Sequence, residues 1–205
     1  MAAGTFTTNL VKAAPVKWDQ HVVYEHGEAR AVVVNSGIAN ACTGAEGYGY
    51  CEETAKAAAE ALGIDKDEVL VASTGVIGKQ LPIDTIKKGV KDLSGLLLDT
   101  REAATLAAES IMTTDTVKKE VAVEVEIGGK TVTIGGMCKG SGMIHPNMCT
   151  MLAFITTDAV ITKDALQKAF GFDNSVLSSG FSGDMLSADS LNLENAFRMG
   201  GDSLD

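Results

Sequence analysis

The residues best placed to do chemistry lie in one stretch. Gly135-Gly136-Met137-Cys138-Lys139-Gly140-Ser141-Gly142-Met143-Ile144-His145-Pro146-Asn147-Met148-Cys149-Thr150 runs directly into an apolar segment, Met151–Ile155. Four glycines (135, 136, 140 and 142) within eight residues make a very flexible loop, and the apolar segment reads as a buried strand. The hydroxyl of Thr150 therefore stands where a loop enters a strand, both exposed and held. The plainer reading is a loop crossing a sheet edge. A phosphate-binding loop fits worse, because Lys139-Gly140-Ser141 lacks the full spacing and the helix that should follow. Two further candidates read blandly by themselves: Thr74-Gly75 as a plain turn, and Lys139 as a solvated surface charge.

The elements that must position these groups follow from periodicity. Ala29–Val34 reads as a buried strand stopped by Asn35-Ser36-Gly37, followed by a polar, glycine-punctuated loop to Gly49. Cys51–Leu62 carries Ala55, Ala58, Ala59 and Leu62 at helical spacing, with Gly63 to end it. Asp65–Glu68 is a solvated turn. Val69–Ala72 is a second strand, running into a Ser73-Thr74-Gly75-Val76-Ile77-Gly78 loop. Helices are expected from Pro82 to about Leu98 and from Arg101 to Met112. A hairpin pairs Glu120–Ile127 with Lys130–Ile134 around Gly128-Gly129. This order predicts a layered α/β or α+β domain.

Composition narrows the function classes. The 205 residues suit one sizeable domain or two lobes, and a net charge of −10 argues against nucleic acid, which needs clustered Lys and Arg. No stretch is long and apolar enough for a membrane span, and the first residues lack the basic and apolar blocks of a signal peptide, so a cytoplasmic location is the default. Cys42, Cys51, Cys138 and Cys149 form no CxxC pair, and no histidine lies at zinc-finger spacing from them. Free, mostly buried thiols are expected, with no structural disulfide and no metal.

Lys139-Gly140-Ser141-Gly142-Met143-Ile144-His145-Pro146-Asn147-Met148, a small residue and then Thr150-Met151-Leu152 resemble the processing-site signature of the ornithine acetyltransferase (glutamate N-acetyltransferase) family. Three other blocks resemble that family in the same order. They are Asn35-Ser36-Gly37 with Asn40-Ala41-Cys42-Thr43-Gly44, Ser73-Thr74-Gly75-Val76-Ile77-Gly78, and Ile111-Met112-Thr113-Thr114-Asp115-Thr116. The resemblance covers about residues 3 to 163 and fades from about Phe170; the Ser-, Asp- and Gly-rich stretch beyond reads as disordered or loosely helical.

The resemblance implies a layered sandwich of sheets and helices and a chain that cuts itself between Cys149 and Thr150. That division leaves residues 1–149 as an alpha-subunit-like segment and residues 150–205 as a shortened beta-subunit-like segment. Cysteine replaces the family's usual alanine at 149. An internal threonine hydroxyl is a poor nucleophile, but cleavage frees an α-amino group with a reference pKa of about 7.7–8.0. That amine reaches Oγ of the same residue and serves as its base. The implied reaction moves an acetyl group from N-acetylornithine to glutamate, as in arginine biosynthesis, by a ping-pong scheme through acetyl-Thr150. Thr74 and Gly75 match the family's oxyanion positions, and Thr113 and Lys139 its substrate contacts. No cofactor is implied, although some members accept acetyl-CoA as a substrate. The expected assembly is a heterotetramer of two cleaved pairs. The alternatives are an N-terminal-nucleophile amidohydrolase, with water resolving the acyl-enzyme, and a folded fragment without turnover.

Overall fold

The computed structural model describes residues 1–140 and 151–171. These divide into two compact units, one formed by Phe6–Thr113 with Ala2, the other by the chain from Thr114 onward with Met1 and Ala3–Thr5.

In the Phe6–Thr113 unit, helix α1 (Ala14–His21) passes without a break into a single π turn, Val22–His26, which Gly27 closes at φ 76°. Strands β1 (Ala31–Ile38) and β2 (Val69–Val76) pair in parallel, so a crossover must join them, and helix α2 (Gly44–Leu62) supplies it. Trp18 of α1, Val22 of the π turn, Cys51, Ala55, Ala58 and Ala59 of α2, and Val69 and Val71 of β2 form the core. The alanine face lets α2 approach the strands closely. Burying the Trp18 ring is worth roughly 5 kcal/mol before entropy, and its indole N–H donates to Val69 O at 2.9 Å. Helices α3 (Ile83–Ser94) and α4 (Arg101–Ser110) follow; Thr100 Oγ1 caps α4 by accepting from Ala103 N.

Three sequence expectations are corrected here. Both strands run four residues further than their apolar runs, because Asn35, Ser36, Gly37 and Ile38 pair in register with Ser73, Thr74, Gly75 and Val76. Neither Asn35-Ser36-Gly37 nor Ser73-Thr74-Gly75 is a loop. Helix α2 begins at Gly44, taking in a glycine-bearing turn expected to be loop. Asp65–Glu68 is more than a solvated turn: Lys66–Glu68 forms a 3-10 turn with a full capping box on Asp65.

In the other unit, β3 (Lys119–Ile127) and β4 (Lys130–Lys139) form the expected hairpin, and β5 (Leu152–Thr157) pairs antiparallel with β4. Gly128 and Gly129 both have positive φ (59° and 74°), as a two-residue hairpin turn requires. Strand β4 continues through Gly135 and Gly136 to Lys139, so the first half of the supposed flexible loop is sheet. Helix α5 (Lys163–Gly171) follows, and the Gln167 side-chain amide exchanges two hydrogen bonds with Gly4, each 3.1 Å.

Candidate active site

Thr74 and Gly75 sit side by side near the C-terminal end of β2, opposite Ser36 and Gly37. Glycine at 75 is required twice over. Its φ is 132°, and a Cβ there would lie 2.3 Å from both the carbonyl carbon and oxygen of Gly37. The two strands therefore meet backbone to backbone at this pair, and Gly75 remains exposed. Side chains brace the surround. Ser73 Oγ donates to Asn35 Oδ1 (2.6 Å), Asn35 Nδ2 to Ile38 O (2.8 Å), and Ser36 Oγ to Ser110 O (2.7 Å). Beyond the strand ends, Ala39 N donates to Val76 O and Gly78 N to Ala41 O, each at 2.9 Å. A backbone ledge held this firmly, ending in an unshielded glycine, can present N–H groups to a developing oxyanion.

The loop facing this ledge rests on Asn40, which is 1% exposed. Its Nδ2 donates to Gly47 O (2.7 Å) and Cys51 Sγ (3.3 Å), while its Oδ1 accepts from Thr43 Oγ1 (2.7 Å). Cys51 is equally buried, and that burial, aided by the nearby Asp19 charge, pushes its thiol up to about 12. Asp19 itself is pushed up to about 7 by burial, against the opposing hydrogen bond from Val71 N (2.8 Å). Thr113 closes the same unit, exposed just beyond α4.

Lys139 lies in the other unit and is no solvated surface charge. It is 5% exposed at the end of β4, with Nζ 2.9 Å from Gly140 O and 3.5 Å from Asp115 Oδ2. Asp115 Oδ1 also takes Lys119 Nζ at 3.0 Å and Gly140 N at 2.9 Å. These three side chains carry two positive charges and one negative. Their net positive charge in a shielded place suits a carboxylate-bearing ligand. Cys138, buried beside them, has its thiol raised by desolvation.

Asp115 is the residue that sequence reasoning missed. It stands inside a recognised block, yet nothing in its neighbours signals that it would clamp the lysine 24 positions later. The structure brings Thr74, Gly75 and Thr113 into one unit and puts Lys139 in the other. Thr150 and Cys149 lie outside the described residues, as do His145 and residues 172–205. The described residues give Cys42 as an exposed thiol and Cys51 and Cys138 as buried ones. Among them, no helix is long and apolar enough to cross a membrane.

Comparison with known proteins adds to this geometry. The chain is similar to the arginine biosynthesis bifunctional protein ArgJ of Symbiobacterium thermophilum, 56% identical over 168 residues, covering 82% of this chain and 41% of that protein. It is 53% identical to the protein of the same name from Gloeobacter violaceus, covering 80% of this chain and 40% of that one. The chain thus spans about 40% of the length of these curated relatives. Among solved structures it resembles ArgJ of Bacillus halodurans (TM-score 0.65, 44% identity, 74% of this chain and 76% of that one). It also resembles ornithine acetyltransferase of Mycobacterium tuberculosis complexed with ornithine (TM-score 0.66, 44% identity, 74% and 77%). The mixed helix-and-sheet fold matches both. Residues 1–190 match the ArgJ family profile, and the chain belongs to the ArgJ family.

Proposed function

We propose that this chain carries the nucleophile half of a glutamate N-acetyltransferase that works through Thr150. The observation that carries this reading is the match of residues 1–190 to a family whose members are named for arginine biosynthesis, one solved with ornithine. The braced Gly75 ledge and the lysine-rich Asp115 cluster support it chemically. The chain cuts itself between Cys149 and Thr150, freeing the Thr150 amine. That amine takes the Oγ proton as Oγ attacks the acetyl carbonyl of N-acetylornithine, and Thr74 and Gly75 stabilise the oxyanion. Ornithine leaves as the C–N bond breaks and takes up the proton. Glutamate's amine then attacks acetyl-Thr150 and restores the free hydroxyl. Thr113 and Lys139 hold the amino-acid portion of the substrate. Cleaved pairs assemble as a heterotetramer in the cytoplasm.

Intact mass under denaturing conditions, beside a Thr150→Ala control, tests the first step. Two pieces from the parent and one from the control support Thr150 as the processing residue. Release of ornithine that depends on added glutamate then separates acetyl transfer from hydrolysis. An uncut parent chain overturns the reading for this chain.

A further inference from the structure

We propose that His21, His26 and Asp67 form a binding site for one divalent transition-metal ion, of which zinc is the best match. The proposal lies outside the acetyl-transfer reading and uses none of its residues. Among the described residues this is the one group of three His, Cys, Asp or Glu side chains that converges on a common point, with all three donor atoms within 4.8 Å of one another.

The π turn makes the pair of histidines. Five residues apart on a regular α-helix, two side chains point about 140° away from each other. Here the helix widens over Val22–His26, with Gly27 N donating to Val22 O at 2.8 Å, and the two imidazoles come onto one side. Their ring centroids are 4.9 Å apart, edge to face. Asp67 faces them from the 3-10 turn, fixed there by Asp65, whose Oδ1 accepts from Asp67 N at 2.9 Å. The two Nε2 atoms address different oxygens of this carboxylate: His21 lies 3.9 Å from Oδ1 and His26 3.9 Å from Oδ2. A tetrahedral ion with ligand bonds of about 2.0–2.2 Å holds its ligands roughly 3.3–3.5 Å apart. Small side-chain rotations therefore close the gap.

The outer partner expected of a metal-binding imidazole is also present. His21 Nδ1 lies 2.9 Å from Glu25 Oε2, which fixes that nitrogen as the donor and leaves the Nε2 lone pair facing the site. Side-chain exposures of 32%, 41% and 24% for His21, His26 and Asp67 leave room for water as the fourth ligand. Lys66 is the built-in competitor. Its Nζ sits 2.8 Å from Asp67 Oδ1 and 5.5 Å above the Trp18 ring, so the ion enters from the Oδ2 side or displaces it. Once bound, the ion ties the end of the first helix to the turn that launches β2, the strand bearing Thr74 and Gly75.

The full chain, stripped with chelator, is titrated with Zn²⁺ by calorimetry, and the same sample is followed by proton NMR of its three histidines, His21, His26 and His145. The expected result is one equivalent bound at micromolar affinity, a raised thermal midpoint, and shifts confined to two imidazoles. His26→Gln and Asp67→Asn each weaken binding at least tenfold, and Glu25→Gln weakens it less. Co²⁺ substitution gives a visible spectrum without the thiolate charge-transfer band that cysteine ligation would produce. Trp18 emission verifies that each variant is folded, and His21→Gln provides an independent loss at the same site. The proposal is overturned if the parent binds no Zn²⁺, if the variants bind it undiminished, or if the Co²⁺ spectrum reports thiolate ligands.

Discussion

Gly47 and Gly49 stand two residues apart in helix α2, and alanine at these positions is expected to act in opposite directions. Alanine favours a helix interior over glycine by about 1 kcal/mol. At Gly49 a Cβ meets nothing within 4 Å, so Gly49→Ala should stabilise the fold by about 0.5–1 kcal/mol. At Gly47 the added Cβ would lie 2.0 Å from Thr43 Oγ1, 2.5 Å from Asn40 Oδ1 and 2.7 Å from Thr43 Cβ. Turning the Thr43 hydroxyl aside removes the first clash but breaks its 2.7 Å bond to Asn40 Oδ1, leaving a buried acceptor unsatisfied at about 1–3 kcal/mol. The contact with Thr43 Cβ remains, and overpacking of this kind adds about 1–3 kcal/mol. Against the helix-propensity gain of about 1 kcal/mol, Gly47→Ala should destabilise by about 1–5 kcal/mol. Urea unfolding followed by emission of Trp18, the sole tryptophan and part of the same core, measures both. If both variants shift stability in the same direction, the account of the Asn40–Thr43–Gly47 contact is wrong.

A similar contrast applies at the ledge. Gly75→Ala should cost about 3 kcal/mol or more, from positive φ and collision with Gly37, while Gly78→Ala, also at positive φ but in open space, should cost about 1 kcal/mol; parallel denaturation curves compare them. At pH 8 an ordinary thiol of pKa 9 is about one-tenth thiolate, whereas Cys51, at about 12, is about one ten-thousandth. Peptide mass mapping of native alkylation should therefore find Cys51 modified on the order of a thousandfold more slowly than a free cysteine peptide, with exposed Cys42 labelled first; labelling of Cys51 at the free-peptide rate would refute the assignment. Asp19, raised from 3.8 to about 7, contributes stability that is complete below pH 4 and lost as pH rises through 7. In chelator-containing buffer, Asp19→Asn should match the parent near pH 4 and exceed it by up to about 4 kcal/mol at pH 8, an upper bound because partial hydration softens burial. Asp115→Asn leaves Lys139 and Lys119 without their shared anion and should lower amide-exchange protection across β3 and β4 by about 2–4 kcal/mol.

Local pattern made some of this structure legible from the sequence. Val121, Val123, Val125 and Ile127 alternate about a glycine pair, and that alone specifies the hairpin. The alanines of residues 55–59 likewise specify the buried face of α2. What escaped is what only a distant neighbour supplies. Asn35-Ser36-Gly37 and Ser73-Thr74-Gly75 have turn-forming composition, yet each becomes a strand because the other offers a parallel ladder. The glycines at 44, 47 and 49 speak against a helix until Asn40 and Thr43 bind its first turns. The π turn has no periodic signature, so the convergence of His21 and His26 was invisible. At the candidate site the residue types of Thr74, Gly75 and Lys139 were readable through a family likeness, but the burial of Lys139 depends on Asp115, far away in sequence.

Strands β4 and β5 lie on opposite sides of the bond ahead of Thr150, as do Gly4 and Gln167. If that bond is cut, a ladder that was one folded chain becomes the seam between two polypeptides, with Ile134–Lys139 on one and Leu152–Thr157 on the other. The pieces would be made already docked, without the encounter and orientation that free subunits must find. Denaturation would erase that history. Refolding of cut protein would be second order and depend on concentration, whereas refolding of an uncut Thr150→Ala chain would not.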